Sequence, residues 1–544
     1  MTRRSRIPLS GLAANPALPP ELLDRLIALA VSGPGPDREA DADAEAVEEL
    51  CSELAERRDL SPAQVRALAD ADEHTAVLLA REGRLSAAAV DPAARPAVAL
   101  AMLDEGTGRP EWARPLAAHP DREVRWRLAS CPGLPSDVVE TLAADPDIEV
   151  VAELALWTAE PEAAARLAAH PHAEVRMSAA LNEAVPPAAL VALITGQGLA
   201  PAASCLVCDR EPVPFTHDPS CPRPDCTLRP GAACAGGHES TVHDALQRAA
   251  RNPATPTAVV AALAGHPSKL VRWSLAERTD LPQEVYAGLV EDPVPGVRYE
   301  AAGNPALGEP LVRTLAAGAA REDDELRRRL AGCPGLPLDV LAELAVAGRI
   351  RPVLLPAVAA AAPEALAEAA SSPHAAVRML VAERRDLPPA VRDRLAADPD
   401  AAVVKAVAPH PGLSEAQLRA VVSRDGVRVL ARVAANPDAP AGLLEELVRH
   451  EPPVRRVLRE VAVHRNATAA ALLPCLDDAR ARPAAAAHPA LPVPVIVGLL
   501  SDADPAVARA AAANPSLPRP AMERLLDDAS REGRGSGSGP GGDA

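Results

Sequence analysis

Three stretches of the chain can be laid over one another without gaps: VRWRLASCPGLPSDVVETLAADPDIEVV from Val124, VRWSLAERTDLPQEVYAGLVEDPVPGVR from Val271 and VRMLVAERRDLPPAVRDRLAADPDAAVV from Val377. In each, the leading valine recurs 26 residues on, at Val150, Val297 and Val403. Asn-Pro and His-Pro dipeptides keep the same step, from His410 to Asn436 and from His488 to Asn514, and further copies begin at Asn15, Asn252, Asn304 and Cys333. Self-similarity at this period constrains the fold more than any other feature. Each copy is too thin to bury its own apolar face, so copies must stack.

One copy reads as two short helices. In HPDREVRWRLAS, Pro120 is expected at the first helical position, where its missing N–H costs nothing. Asp145, before Pro146, is expected to cap the next copy. Val124 and Leu128 sit four apart and share a face. Cys131-Pro132 ends this helix, because a residue before proline is pushed out of the α region. A second helix follows Leu134-Pro135, with Val138, Val139 and Leu142 on one side, and small residues such as Ala129 and Ala143 allow close approach. The expected fold is all-α: a right-handed α-solenoid (superhelix) of short two-helix repeats of about 26 residues, carrying a Cys-rich loop insertion. Composition agrees. The apolar residues, 48% of the chain, are mostly Ala, Leu and Val, with four Trp, two Tyr, one Phe and 59 prolines. That suits thin, often-punctuated layers better than a thick core, which aromatics usually fill.

The pattern NPxLPxxxLxxLAxDPDxxVRxxLA resembles the leucine-rich repeat variant family, an all-helical relative in spirit of HEAT repeats. The resemblance covers most of Leu9–Asp528 and degenerates over Asp41–Gly108 and Leu315–Ala370. It implies the helical-repeat fold, and for function only a binding scaffold, since repeat families bind many unlike things. Some proteins resembling this family carry a four-cysteine [4Fe–4S] domain at the N-terminus; here the clustered cysteines lie mid-chain.

Residues 9–195 and 244–530 are expected to form N-terminal and C-terminal helical repeats. An acidic, Gly/Pro-rich insertion occupies 33–49. The Gly/Ser-rich tail 531–544 has too little apolar surface to fold. Between the two repeat blocks, residues 196–243 replace what is elsewhere a short interhelical turn, the place where repeat proteins accept extra material.

Five of the nine cysteines fall in that insertion, spaced Cys205-x2-Cys208-x12-Cys221-x4-Cys226-x7-Cys234, with His217, His238 and His243 nearby. A C-x2-C pair grips one metal from a tight turn, and a second pair a dozen residues on closes a tetrahedral site. The segment has little else to hold it, and metal binding supplies the missing folding free energy, on the order of 10 kcal/mol for small zinc modules. Zinc bound by four sulfurs, or by three and His238, and an iron–sulfur cluster held by four cysteines both fit the spacing. Protein ligands can fill every position of either, which points to a structural or electron-carrying centre rather than an open catalytic zinc.

The formal charge of −18 disfavours general nucleic-acid binding, which rests on a basic surface. No run resembles a secretory signal or a membrane span. A cytoplasmic location follows as the expectation, and there clustered thiols favour metal over disulfide. Cys51, Cys131, Cys333 and Cys475 read as buried residues. The arginines Arg125, Arg176, Arg272, Arg298 and Arg378 read as a structural ladder to aspartates such as Asp147 and Asp400. Trp126, Trp273, Tyr299, Met177 and Met379, which follow those arginines, are expected to line an inner surface or seam. The histidines His119, His170, His266, His410 and His488 mark turns. No nucleophile elbow, zinc-protease, P-loop or dinucleotide motif is present. The chain thus reads as a non-enzymatic scaffold for a protein partner, with a redox or electron-transfer accessory protein as the alternative.

Overall fold

The computed structural model describes residues 3–31, 49–206, 238–318 and 322–534. Every regular element among them is a helix, so the fold is all-α. The chain divides into two compact units, one made of Met1–Leu85 with Leu366–Ala544 and the other of Ser86–Ala365. Neither boundary falls at the cysteine-rich insertion.

The Asp-Pro-Asp turn shows how the sequence sets the helices, and it reverses the expected division of labour. The second aspartate is the cap: Asp147 accepts from the amide of Glu149 and Asp400 from that of Ala402. The first aspartate takes the arginine. Arg125 grips Asp145 through two nitrogens at 2.7 and 3.2 Å, Arg272 grips Asp292 and Arg378 grips Asp398. Asp145 also accepts from the Asp147 amide, which locks the turn. Each guanidinium reaches back as well, Arg125 donating to the carbonyl oxygens of His119 and Pro120. The arginine therefore ties the turn before its own helix to the next such turn, and Pro120 lies outside the helix Arg122–Ala129, whose cap is Asp121. Arg176 and Arg298 have glycines, Gly196 and Gly318, at the corresponding position twenty residues on. Arg176 donates to the Ala200 carbonyl and Arg298 to that of Asp292.

A second set of bonds runs through the interior. Asn304, buried, donates to the carbonyls of Ala276 and Arg278 at 2.7 and 2.6 Å and accepts from the Ala306 amide. Asn436 does the same to Ala408 and His410, and Asn514 to Ala486 and His488. Each asparagine opens a turn with proline next, the arrangement that suits a type I turn. Other residue types fill the same role. Arg278 donates to Ala250, Asn252 and Thr255; His464 and His488 donate through Nε2 to Asn436 and His464; the Cys333 thiol donates to Asn304. Buried carbonyls that turns leave open are thus satisfied by the next turn's side chain.

Within the Ser86–Ala365 unit, helices alternate. Arg122–Ala129 packs on Ile148–Trp157, which packs on Ala173–Ala179, then Glu239–Arg251, Lys269–Glu277, Pro295–Ala302 and Asp324–Ala331 in succession. Ala113–Ala117, Ser136–Ala143, Pro161–Ala168 and Pro187–Thr195 form a parallel run of contacts. The buried faces are the leucines, valines and alanines that the spacing picked out, including Val124, Leu128, Val138, Val139 and Leu142.

In the other unit the two chain ends meet. The helix Arg3–Ala13 packs on Pro505–Ala512 and on Arg519–Arg534, and Pro20–Val31 packs on Arg519–Arg534. Asn15 donates to the carbonyls of Ala512 and Asn514 at 2.9 and 2.8 Å, repeating towards Asn514 what Asn514 does towards His488. Arg57 in turn donates to the carbonyls of Ala13 and Asn15. A side chain at Gly11 would strike the Arg509 carbonyl oxygen, so glycine permits the approach. Arg25–Asp527, Arg509–Glu49 and Arg509–Glu53 ion pairs flank the joint. The last helix runs through Arg534, into the segment expected to be unfolded. The acidic insertion lies outside the described residues, except for Glu49, which begins a helix over 49–55.

Candidate metal centre and its surroundings

The insertion leaves the helix Pro187–Thr195 at Gly196, whose φ of +69° suits glycine, and ends earlier than expected, at the helix Glu239–Arg251. Both roots are fastened to the stretch Pro171–Arg176. On the entering side the Ala203 amide donates to the Pro171 carbonyl, the Ala173 amide to the Ser204 carbonyl, and Arg176 to Ala200. On the leaving side the Thr241 hydroxyl donates to Glu174 Oε1 at 3.4 Å. Glu174 Oε2 lies 3.2 Å from His172 Nδ1, and both residues are buried.

Cys205 follows Ser204 directly and is 2% exposed. Its backbone is held by the Ser204 pairing, so the first thiol of the C-x2-C pair starts from a fixed, dehydrated position. His238, at the other root, is buried with a φ of +51°, a conformation uncommon outside glycine. Cys208, Cys221, Cys226, Cys234 and His217 lie outside the described residues. Among the described residues no three His, Cys, Asp or Glu side chains are gathered as metal ligands. Of the expected cysteine ligands, the described structure places Cys205, whose chemistry and burial suit a metal donor. His243 points elsewhere, its Nε2 lying 2.9 Å from the Ser268 hydroxyl. His172 and Glu174 lie outside the expected ligand set, and His172-x-Glu174 at a helix start is the only sequence sign of their pairing.

The remaining thiols are inert core groups. Burial pushes Cys51 up to about 11 and Cys131 and Cys475 up to about 12, and raises Cys333 as well. No thiolate forms there at neutral pH.

Within the Ser86–Ala365 unit, two of the large residues, Trp273 and Tyr299, reach across to a neighbouring helix. Trp126, Met177, Trp273, Tyr299 and Met379 are each half-buried. The Trp273 ring fills the space over Gly296 on the next helix, where any side chain would collide with it. The Tyr299 hydroxyl donates to Asp323, the cap of the helix Asp324–Ala331, at 3.0 Å. The arginine of this row stays beside its neighbour, with Arg298 5.9 Å from the Tyr299 ring centre. Trp157, 55% exposed, donates its indole N–H to Glu153.

The His-Pro histidines are turn residues: Nδ1 of His119, His170 and His266 accepts from the amide two residues on. No helix among the described residues is long and apolar enough to cross a membrane. Compared with known proteins, the chain matches no family model and no curated protein.

Proposed function

We propose that the chain is a non-enzymatic interaction scaffold, a right-handed α-solenoid of two-helix repeats about 26 residues long in the manner of leucine-rich repeat variants, with a metal-stapled insertion on one interhelical loop. The observation that carries the reading is the interior ladder: Asn304, Asn436 and Asn514 each bond carbonyls 26 and 28 residues earlier. Such a bond pattern lets each pair of helices be completed by its predecessor. The exposed helix faces then carry few structural duties and are available to a protein partner in the cytoplasm.

The insertion's role is to present a folded appendage. A bound zinc or [4Fe–4S] cluster would cross-link the segment, held by four of Cys205, Cys208, Cys221, Cys226 and Cys234. Cys205 enters from a buried, backbone-paired root, while His238 closes the loop at the other. A second reading, a redox accessory protein whose cluster is the working part, rests on the same cysteines.

Metal analysis of anaerobically purified chain, beside Cys205→Ser and Cys208→Ser variants, separates the two. Stoichiometric zinc, lost in both variants, together with a stoichiometric protein complex that survives oxidation and reduction, supports the scaffold. Brown protein with iron and sulfide that exchanges electrons, and no protein complex, overturns it.

A further inference from the structure

The joint between the chain ends is a ladder step whose two sides are far apart in sequence. Its head is the N-terminal face, with Asn15, Gly11, Arg25, Glu49 and Glu53. Its tail is the C-terminal face, with the Ala512 and Asn514 carbonyls, Arg509 and Asp527. The two faces differ, so the contact is head-to-tail rather than self-matching. Everything that recognises the tail is carried by the head, and every other copy of the chain carries the same tail.

We propose that this joint is also a self-recognition surface, through which two copies exchange ends, the head of each seated on the tail of the other. Three features support it. An open joint is costly, because the Asn15 amide and the Ala512 and Asn514 carbonyls lose their partners, and Leu12, Ala13, Ala508, Ala511 and Ala512, all buried, lose cover. An opened copy is therefore driven to close again on whichever tail is at hand. The ion pairs are mixed in sign, with a head arginine on a tail aspartate and a tail arginine on head glutamates, which fixes one register. The chain leaving the head, between the helices Glu73–Arg81 and Pro96–Asp104, holds the single 3-10 turn Ala87–Ala89, a second turn at 92–94 and a left-handed Gly83, so it can be re-routed without unwinding an α-helix. Closure within one copy is favoured by effective concentration, so exchange appears as protein concentration rises.

Charge reversal tests the proposal with purified full-length chain alone, independently of any other partner and of the scaffold reading. Glu53→Arg places like charge against Arg509; Arg509→Glu places like charge against Glu49 and Glu53. Alone, each variant mismatches both its own joint and a joint with its twin. In an equimolar mixture, the Glu53→Arg head meets the Arg509→Glu tail at one joint, and two native faces meet at the other. Light scattering is expected to give twice the monomer mass for the mixture and monomer mass for each variant alone. Combining both substitutions in one chain restores a closed monomer. A mixture that stays at monomer mass, with parental helicity in both variants, overturns the proposal, as does a dimer formed equally by each variant alone. Should either variant fail to fold, the exposed pair Arg25→Asp and Asp527→Arg carries the same scheme.

Discussion

Replacing Asn436 by alanine removes one rung of the interior ladder, and the structure sets the cost. The side chain is fully buried, donates two bonds of 2.7 Å to the Ala408 and His410 carbonyls and accepts one of 2.9 Å from the Asp438 amide. Alanine strands two acceptors and a donor. Each stranded buried group costs about 1–3 kcal/mol, reduced where water enters the vacated volume, so a loss of about 3–4 kcal/mol is expected. Histidine tests the chemistry rather than the volume. His464 shows that an imidazole can donate to one carbonyl and accept from the amide two residues on, so Asn436→His strands a single carbonyl and loses about 1–2 kcal/mol. Asn436→Asp is worst at neutral pH, since a carboxylate faces two carbonyl oxygens, and it recovers as acid protonates it. Long repeat arrays need not unfold in one step, so the readout is hydrogen exchange of amides in the helices Ala401–Val407 and Ala441–Val448, with urea unfolding beside it. An alanine variant within 0.5 kcal/mol of the parent, or a histidine variant no better than alanine, would refute the reasoning.

Acid should weaken the Met1–Leu85/Leu366–Ala544 unit before carboxylates titrate. Burial, helped by the charges of Arg385, Arg432 and Arg392, lowers His410 to about 4. Its neutral form stabilises fully above the unfolded-state value of about 6.5, and that contribution is lost as pH falls from there towards 4. Hydrogen exchange around His410 that is flat between pH 7 and 4.5, after correction for intrinsic rates, would contradict this. At lower pH the Arg378–Asp398 pair gives way. Burial alone would raise the Asp398 carboxyl, but bonds from Arg378 and the Asp400 amide outweigh it and hold the group below its ordinary range. Its stabilisation is present above about pH 4 and lost as pH falls through the lowered value; Asp398→Asn should abolish this acid limb in a pH–stability curve. Cys51, Cys131, Cys333 and Cys475 should resist iodoacetamide in the native chain and react in urea, as read by mass spectrometry; native labelling of any of them would contradict their burial. Chelation should leave the helical content intact, because Asn252 bonds the Ala180 and Asn182 carbonyls directly across the insertion. A large fall in far-UV circular dichroism on metal removal would show that the insertion holds the helices together.

The helical character and the buried positions were legible because the repeated spacing of Val124, Leu128 and Leu142 needs only local periodicity. Roles within a turn were harder. Asp145 and Asp147 are chemically alike, and only the arginine arriving from Arg125 decides which is cap and which is partner. The asparagines were visible as punctuation, but their amides' targets lie in the preceding turn, which no single copy contains. The meeting of Asn15 with Asn514 was the least accessible. The stretches LAANPALPP and AAANPSLPR match in type, yet matching copies carry no label saying which neighbour each one stacks on. For the metal ligands, spacing named the cysteines, and the described structure adds only Cys205 and the roots that hold it.

The ladder asparagines have a consequence for chemical ageing. Asparagine commonly degrades when the next residue's backbone nitrogen attacks the side-chain amide and closes a cyclic imide. Asn15, Asn252, Asn304, Asn436 and Asn514 are each followed by proline, whose nitrogen carries no hydrogen and cannot complete that ring. Two others lack that neighbour: Asn182, which donates to the Ala155 and Thr158 carbonyls and is followed by Glu183, and Asn466, which donates to the Ala439 carbonyl and is followed by Ala467. The residue that shapes the turn therefore also shields its neighbour from deamidation, which would set an aspartate against two carbonyl oxygens. Over a long cellular lifetime, decay of the ladder should begin at Asn182 and Asn466.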